Sequence, residues 1–198
     1  MSSVLRFLIG VAGVLSLTVP AASADPLKLT GTVFDSATKL PLEGAYVVAI
    51  YEEWRANIGM STHICVKLKG MTTGPDGRFD FPVEKRDGES PSRAIAIKPG
   101  YYLDHLSGMP TAAEMERQSQ AAYANRDIYL TAQNPASPTF ARYSLSVVHC
   151  SDARTRADAE PGIQYMKIVV DEMRRYGANK QLLSDMQHLI SDLEGVPR

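Results

Sequence analysis

The chain has 198 residues, enough for one or two small domains, and its hydrophobic fraction of 44% and charged fraction of 22% are those of an ordinary globular protein. Its formal net charge is -1 at pH 7, whereas nucleic-acid-binding proteins carry a basic patch or stripe. We therefore expect no nucleic-acid partner.

The first 24 residues have the pattern of a secretory signal peptide. Arg6 supplies a positive charge, an apolar run of 13 residues follows from Phe7 to Val19, and Ala22-Ser23-Ala24 has the small-residue pattern of a cleavage site. A transmembrane helix needs roughly 20 apolar residues, so this run is too short to span a bilayer. The pattern predicts export of residues 25–198 to the periplasm or the extracellular space, with no membrane span after cleavage. An uncleaved anchor is the alternative.

Six segments after residue 25 have the alternation and β-branched residues of short strands, with turn signals between most of them. They are residues 28–34, 45–54, 63–73, 78–83, 93–98 and 127–131. The alternation points the following side chains inward: Phe79, Phe81, Ile95, Ile97, Ile128 and Leu130. This pattern predicts a mainly β fold, an antiparallel sandwich of about 100 residues.

The segment 45–54 is apolar on both faces. Val47, Ala49 and Tyr51 alternate with Tyr46, Val48, Ile50 and Trp54. Strands that are apolar on both faces are usually covered on both faces. We therefore expect a further layer on the outer side of this strand. In the next strand, the alternation points Ile64, Val66 and Leu68 inward and Cys65, Lys67 and Lys69 outward.

The turn before residue 78 contains Asp76-Gly77 and is followed by Asp80 between two phenylalanines. Its two carboxylates suggest a calcium loop, but calcium needs several more oxygen ligands at regular spacing. Asp-Gly supplies the positive φ angles of a tight turn, so the pattern favours a hairpin turn that leads into a core strand.

Residues 102–126 form an insertion between the last two predicted strands, and the capping-box pattern that begins at Thr111 predicts a short helix there. After residues 134–138 the period changes to that of helices, and three apolar stripes follow. The stripes are Phe140, Tyr143, Val147 and Cys150; Ile163, Met166, Val170 and Met173 after Pro161-Gly162; and Leu182, Met186, Leu189 and Leu193 after Asn179. We predict a helical extension over residues 139–196 that packs on the sandwich, because the outer face of strand 45–54 needs a cover. A separate small bundle is the alternative.

The chain contains two cysteines, Cys65 and Cys150. An even number of cysteines in an exported protein suggests a disulfide. Cys65 faces outward on its strand and Cys150 lies on the apolar stripe of the first predicted helix. We therefore predict a Cys65–Cys150 disulfide that fastens the helical extension to the sheet.

Four motifs in order resemble the carboxypeptidase regulatory-like domain. They are Gly31-Thr32-Val33-Phe34-Asp35, the segment Leu40–Val47, the segment Thr72–Phe79, and Lys98-Pro99-Gly100-Tyr101. The resemblance covers residues 27 to about 131 and departs once, with Gly74 where an Asp is common. It implies a transthyretin-like β-sandwich, which we place at residues 25–133, and a non-catalytic role without metal or cofactor.

Histidines offer little sign of catalysis. His63, His105, His149 and His188 are scattered, with no pair at the spacing of zinc ligands. A small hydrolase or metal-dependent enzyme that uses His63, His105 or His149 is the rival hypothesis. It requires two or more of these histidines to converge with a carboxylate in one pocket.

Aromatic residues suggest a ligand surface. The rings of Tyr46, Trp54, Tyr101 and Tyr102 suit contacts with a glycan or a peptide. The alternative, which the two apolar faces of segment 45–54 favour, is that the helical extension covers Tyr46 and Trp54. The sequence as a whole predicts an exported bacterial binding or scaffolding protein whose partner is an unknown protein or glycan of the cell envelope.

Overall fold

The computed structural model describes residues 29–57, 60–82, 90–103, 127–136, 138, 150 and 152–196. These residues form seven strands and two helices. They are β1 (Leu29–Asp35), β2 (Tyr46–Asn57), β3 (Met60–Thr72), β4 (Arg78–Phe81), β5 (Ser90–Ile97), β6 (Tyr101–Leu103), β7 (Ile128–Ala132), α1 (Arg156–Arg175) and α2 (Lys180–Glu194). The predicted signal peptide, the predicted helix after Thr111 and the predicted helix around Phe140 lie outside the described residues, except for Cys150, which is not helical.

The strands form two sheets, one with the order β4-β1-β7-β6 and the other with the order β3-β2-β5. The predicted mainly β fold with a C-terminal helical part is thus confirmed. The described pairings are antiparallel except that of β1 with β7, which is parallel. The prediction of a purely antiparallel sandwich is therefore wrong in one pairing. Parallel neighbours need a long connection, and here most of the β-domain lies between β1 and β7.

Side chains from both sheets share one buried core. Its members include Leu29, Val33, Val47, Ala49, Tyr51, Phe79, Phe81, Ala96, Ile128 and Leu130. The inward direction predicted for Phe79, Phe81, Ile128 and Leu130 is confirmed. The Tyr51 hydroxyl donates a hydrogen bond of 2.8 Å to the carbonyl of Pro82, which satisfies the polar end of this buried ring.

The other face of β2 packs against the helices, as the two-sided pattern of this strand predicts. Tyr46, Val48 and Ile50 belong to a second buried cluster, to which α1 contributes Ile163, Met166, Val170 and Met173 and α2 contributes Met186 and Leu193. The sheet β3-β2-β5 therefore lies between the other sheet and the helices. Its central strand is covered on both sides.

Two isoleucines of β5 are buried on a different side from the one predicted. Ile95 and Ile97 pack in the helix-facing cluster, whereas Ala94 and Ala96 face the core between the sheets. Alternation separates the two faces of a strand, but it does not say which face meets the other sheet. Because the helices bury the outer face of β5, that face can hold the two isoleucines, and the two alanines face the other sheet.

A β-bulge changes the alternation of β3. Tyr51 pairs with Lys67 but the next residue, Glu52, pairs with Cys65, so Val66 is an extra residue. As a result, Leu68 and Cys65 both pack towards the helices, and the prediction that they point in opposite directions is wrong. The Lys69 ammonium lies 5.5 Å from the centroid of the Tyr51 ring, on the side of the core between the sheets.

Helix α1 starts earlier than predicted. Thr155 is the N-cap residue before Arg156 and forms a capping box with Asp158 in the first turn, and Pro161 lies inside the helix rather than at its start. Its apolar stripe is buried as predicted, and Gly177 follows its end with a φ of 76°. The predicted cap of α2 is also present, because the Asn179 side chain accepts a hydrogen bond from the backbone N–H of Leu182 at 2.9 Å.

The close contact between α1 and β3 requires a glycine at position 70. A Cβ added to Gly70 would overlap the hydroxyl of Tyr46 and lie 3.0 Å from Cβ of Pro161. The ring of Tyr46 therefore takes the place that a side chain of β3 would occupy. Glycine in a strand often marks such a close approach.

The turn at Gly74–Gly77 is not a hairpin turn, contrary to the prediction. It follows β3 and precedes β4, which belong to different sheets. The Gly77 N–H donates to the Gly74 carbonyl at 2.9 Å, and Gly77 has a φ of 67°. A Cβ at Gly77 would lie 2.7 Å from the carbonyl oxygen of Val33. The glycine therefore allows the chain to cross between the sheets against β1.

Candidate ligand surface

The predicted disulfide between Cys65 and Cys150 is present. It joins β3 to the segment that leads into α1, with a sequence separation of 85 residues. Beside it, Nη2 of Arg154 lies 2.8 Å from Oε2 of Glu53 on β2. The start of α1 is thus fastened to the sheet by a covalent bond and an ion pair.

The other end of α1 is held by a buried carboxylate that was not predicted from the sequence. Glu172 is 2% exposed, and its Oε2 accepts a hydrogen bond of 2.6 Å from the backbone N–H of Gly100. Its Oε1 lies 3.0 Å from Nη1 of Arg175. The sequence contains a signal for this contact, because Tyr165, Val169 and Glu172 have the spacing of one helix face and the first two are apolar.

The four aromatic residues proposed as a ligand surface do not share one environment. Tyr46 is 8% exposed and packs beneath α1, where burial, with the charge of Glu160, raises the pKa of its hydroxyl. Tyr102 is half-buried against the same cluster, whereas Tyr101 is half-buried against the core between the sheets. The side chain of Trp54 lies outside the described part. Tyr46 has little surface left for a ligand.

Tyr101 is linked to Asp35 at the end of β1. Its hydroxyl donates to Oδ2 of Asp35 at 3.2 Å, and Oδ1 of Asp35 accepts from the N–H groups of Ala37 and Thr38 at 2.8 and 2.9 Å. The Thr38 N–H is the main cause that lowers the pKa of Asp35. Burial, followed by the hydrogen bond to Asp35, raises the pKa of Tyr101.

Next to this pair, the side of the β4-β1-β7-β6 sheet that faces away from the core carries two stacked rings. Phe34 and Tyr129 are partners in the β1–β7 register, with ring centroids 5.6 Å apart and an interplanar angle of 22°. Nζ of Lys39 lies 4.8 Å from the centroid of Tyr129. The hydroxyls of Ser36 and Thr131 are 2.8 Å apart. We call these five residues the corner surface.

The corner surface was not predicted from the sequence, although a signal for it is present. Phe34 follows the core residue Val33, and Tyr129 lies between the core residues Ile128 and Leu130. Alternation therefore places both rings on the side of the sheet away from the core. An aromatic residue at an outward position of an alternating strand is the pattern that identifies them.

The loop from Asp35 to Pro41 supports this surface. Besides the bonds to Asp35 Oδ1, the Lys39 N–H donates to the Asp35 carbonyl and the Asp35 N–H donates to the Leu40 carbonyl, both at 2.9 Å. Lys39 has a φ of 59°, the only positive φ of a non-glycine residue among those described. Leu40 is 64% exposed. These hydrogen bonds tie the loop to the end of β1.

The described residues include potential metal ligands and two of the four histidines. Among the described residues, no group of three or more His, Cys, Asp or Glu side chains is placed to hold a metal ion. His63 belongs to β3 but its side chain is not described, His188 is exposed on α2, and His105 and His149 lie outside the described ranges. The hypothesis of a histidine-dependent enzyme therefore stays a prediction.

Within the described residues, no helix has the length and apolar character needed to cross a membrane. Comparisons of the chain with models of protein families, with curated proteins and with solved structures find no match in any of the three.

Proposed function

We propose that this is an exported, non-catalytic binding or scaffolding protein of the cell envelope or the extracellular space. The observation that carries the proposal is the Cys65–Cys150 disulfide. Disulfides form and persist in oxidising compartments such as the periplasm and the cell exterior, and are rare in the cytosol. The signal-peptide pattern of residues 1–24 supports the same location.

The β-domain is, in this proposal, a transthyretin-like sandwich of the carboxypeptidase regulatory-like kind. Three glycines of the resembling motifs have the positive φ angles that glycine tolerates best: Gly44 at 72°, Gly77 at 67° and Gly100 at 84°. Thr73 of the third motif bonds to the backbone of the second motif through Leu42 and Ala45. These structural roles support a scaffold domain.

Export is tested by expressing the full chain with its own N-terminus in a bacterium and measuring the intact mass of the protein in each cell fraction. We expect a protein in the exported fraction that starts at Asp25 and whose cysteines become reactive to alkylation only after reduction. Uncleaved protein with two free thiols in the cytoplasm would overturn the proposal.

A second candidate function, a carbohydrate- or peptide-binding module, is favoured by the corner surface, whose stacked rings face away from the core. Aromatic side chains offer large contact areas at a low cost in conformational entropy, which suits such surfaces. Capture experiments from envelope extract with the wild-type protein and a Phe34→Ser/Tyr129→Ser variant test it. Equal capture by both proteins would argue against this module.

A further inference from the structure

We propose that the corner surface binds a carboxylate-bearing saccharide, and that the Lys39 ammonium contacts its carboxylate. This inference rests on the proposed binding function and gives it a site and a ligand class. It is carried by three observations: the backbone conformation of Lys39, the environment of its ammonium, and the backbone pairing of the strands below it.

The backbone of Lys39 is in a conformation that lysine rarely adopts. With a φ of 59°, this position suits glycine or asparagine better, because a Cβ is unfavourable in the left-handed region. Residues in strained backbone conformations cluster at ligand sites and other functional positions, and this motivates a search for a ligand at Lys39. The loop therefore carries a lysine at a position where asparagine or glycine would fit the backbone better.

The ammonium of Lys39 is placed to accept an anionic partner. It lies over the Tyr129 ring, whose other neighbour is Phe34, and it forms no ion pair with a carboxylate within the described ranges. Asp35 belongs to the same loop, but its two oxygens accept hydrogen bonds from Ala37, Thr38 and Tyr101. A ligand carboxylate would supply the direct ion-pair contact that Asp35, held by these three donors, does not make with Lys39.

The strands under the corner surface favour a saccharide over an extended peptide. Peptides commonly bind to sheets by adding a strand to a free edge. β1 lies between β4 and β7, β7 lies between β1 and β6, and Phe34 is bridged on its second side by Pro41. Recognition must therefore use side chains. The rings and the hydroxyls of Ser36 and Thr131 suit the apolar faces and the hydroxyls of a sugar.

The test is a calorimetric titration of the full exported protein at low salt with uronic-acid oligosaccharides of several linkages. Their methyl esters, which keep the sugar rings and remove the charge, and a hexaglutamate peptide serve as matched probes. We expect at least one uronate to bind, its methyl ester to bind at least roughly tenfold more weakly, and hexaglutamate not to bind. Binding of uronate should also weaken as salt is added.

Three variants separate the role of Lys39 from its contribution to folding. Lys39→Asn relieves the backbone strain and removes the charge, so we expect a thermal midpoint at or above that of the wild type with roughly tenfold weaker uronate binding. Lys39→Arg keeps the charge and should bind within about threefold of the wild type. Lys180→Asn makes the same charge change at the start of α2 and should leave binding unchanged.

Four results would overturn the inference: no uronate binds, the methyl ester binds equally well, hexaglutamate binds in place of the uronates, or Lys39→Asn binds like the wild type. If the protein is nevertheless exported and captures an envelope partner, the proposed function stands and only this site assignment fails. If the protein stays uncleaved in the cytoplasm, the proposed function fails first.

Discussion

At the scale of single residues, Asp35 and Tyr101 connect β1, the loop that carries Lys39, and β6 through one carboxylate. The folded state favours the ionised form of Asp35, whose pKa lies below its ordinary value of 3.8. It favours the neutral form of Tyr101, whose pKa lies above 10.0. The two groups therefore stabilise the fold over the same neutral range and lose their effect at opposite ends of it.

This linkage predicts the pH dependence of stability. Because the folded pKa of Asp35 is lowered, its contribution is present above pH 3.8 and is lost as the pH falls through the folded pKa. Because the folded pKa of Tyr101 is raised, its contribution is present below pH 10.0 and is lost as the pH rises through the folded pKa. In urea unfolding at a series of pH values, Asp35→Asn should flatten the acid limb and Tyr101→Phe the alkaline limb. Unchanged limbs would contradict this assignment.

The Thr73 side chain ties the end of the β3 segment to the segment before β2. It is 3% exposed, and its hydroxyl donates to the Leu42 carbonyl at 2.7 Å and accepts from the Ala45 N–H at 3.0 Å. Thr73→Val keeps the shape but leaves two backbone groups without their partner, so we expect the free energy of unfolding to fall by roughly 2–4 kcal/mol. Urea unfolding measures this change.

Two substitutions serve as controls for Thr73. Thr73→Ser keeps the hydroxyl and should recover most of the lost stability. Thr72→Val is a matched change at the exposed neighbouring position and should alter stability by less than about 0.5 kcal/mol. A loss in Thr73→Val no greater than that in Thr72→Val would show that the two hydrogen bonds contribute little.

At the scale of elements, the sequence predicted the features that repeat with a regular period within one segment. It did not predict the features that arise from contacts between segments. The two apolar faces of β2 and the stripe of α1 were readable because their periods of 2 and 3.6 are properties of one segment. The bulge at Val66 was not, since it is defined by the register with Tyr51 and Glu52. Strand β6 has only three residues, too few for a period.

The candidate site follows the same division. The disulfide was predicted from the even number of cysteines in an exported chain and the outward position of Cys65, although the helix expected at Cys150 is absent at that residue. The corner surface depends on the parallel pairing of β1 with β7, which places Phe34 beside Tyr129. These strands are far apart in the sequence, so no local pattern indicates that the two residues are neighbours. The conformation of Lys39 is likewise set by the hydrogen bonds of its loop rather than by its own preference.

The contact between α1 and the turn at Gly100 gives a prediction at the scale of elements. Glu172→Ala removes the acceptor of the Gly100 N–H, and hydrogen bonds to charged groups contribute about 1.5–3 kcal/mol. We expect a loss of at least this size in the free energy of unfolding and faster hydrogen exchange at the Gly100 amide. Asp171→Ala, at a neighbouring side chain that is 74% exposed, is the control and should change neither quantity. Equal exchange in the two variants would exclude a role for Glu172 in docking the helix.

At the scale of the whole molecule, the edges of both sheets are poor templates for pairing with other chains. β4 and β6 are edge strands of four and three residues, β3 has a bulge, and β5 contains Pro91, which has no N–H to donate. Short edge strands, bulges and prolines are known to limit edge-to-edge association. Among the described elements, the sheet edges thus disfavour binding by strand addition, which is the premise of the side-chain recognition proposed for the corner surface.

Helix α1 packs on the β3-β2-β5 sheet, and of the contacts that hold it there the disulfide is expected to stabilise the fold most. In the chain-entropy model, closing a loop of 85 residues stabilises the folded state by about 4–5 kcal/mol, less any strain. Reduction should therefore lower the urea midpoint strongly. Because the apolar cluster, the Arg154–Glu53 ion pair and the Glu172–Gly100 hydrogen bond remain, the reduced protein in the absence of urea should keep its helical circular dichroism if its overall stability exceeds this loss.

The Cys65→Ser/Cys150→Ser variant should have the midpoint of the reduced protein and no response to reductant. A wild-type midpoint that does not change on reduction would show that the noncovalent contacts alone determine how firmly α1 is held.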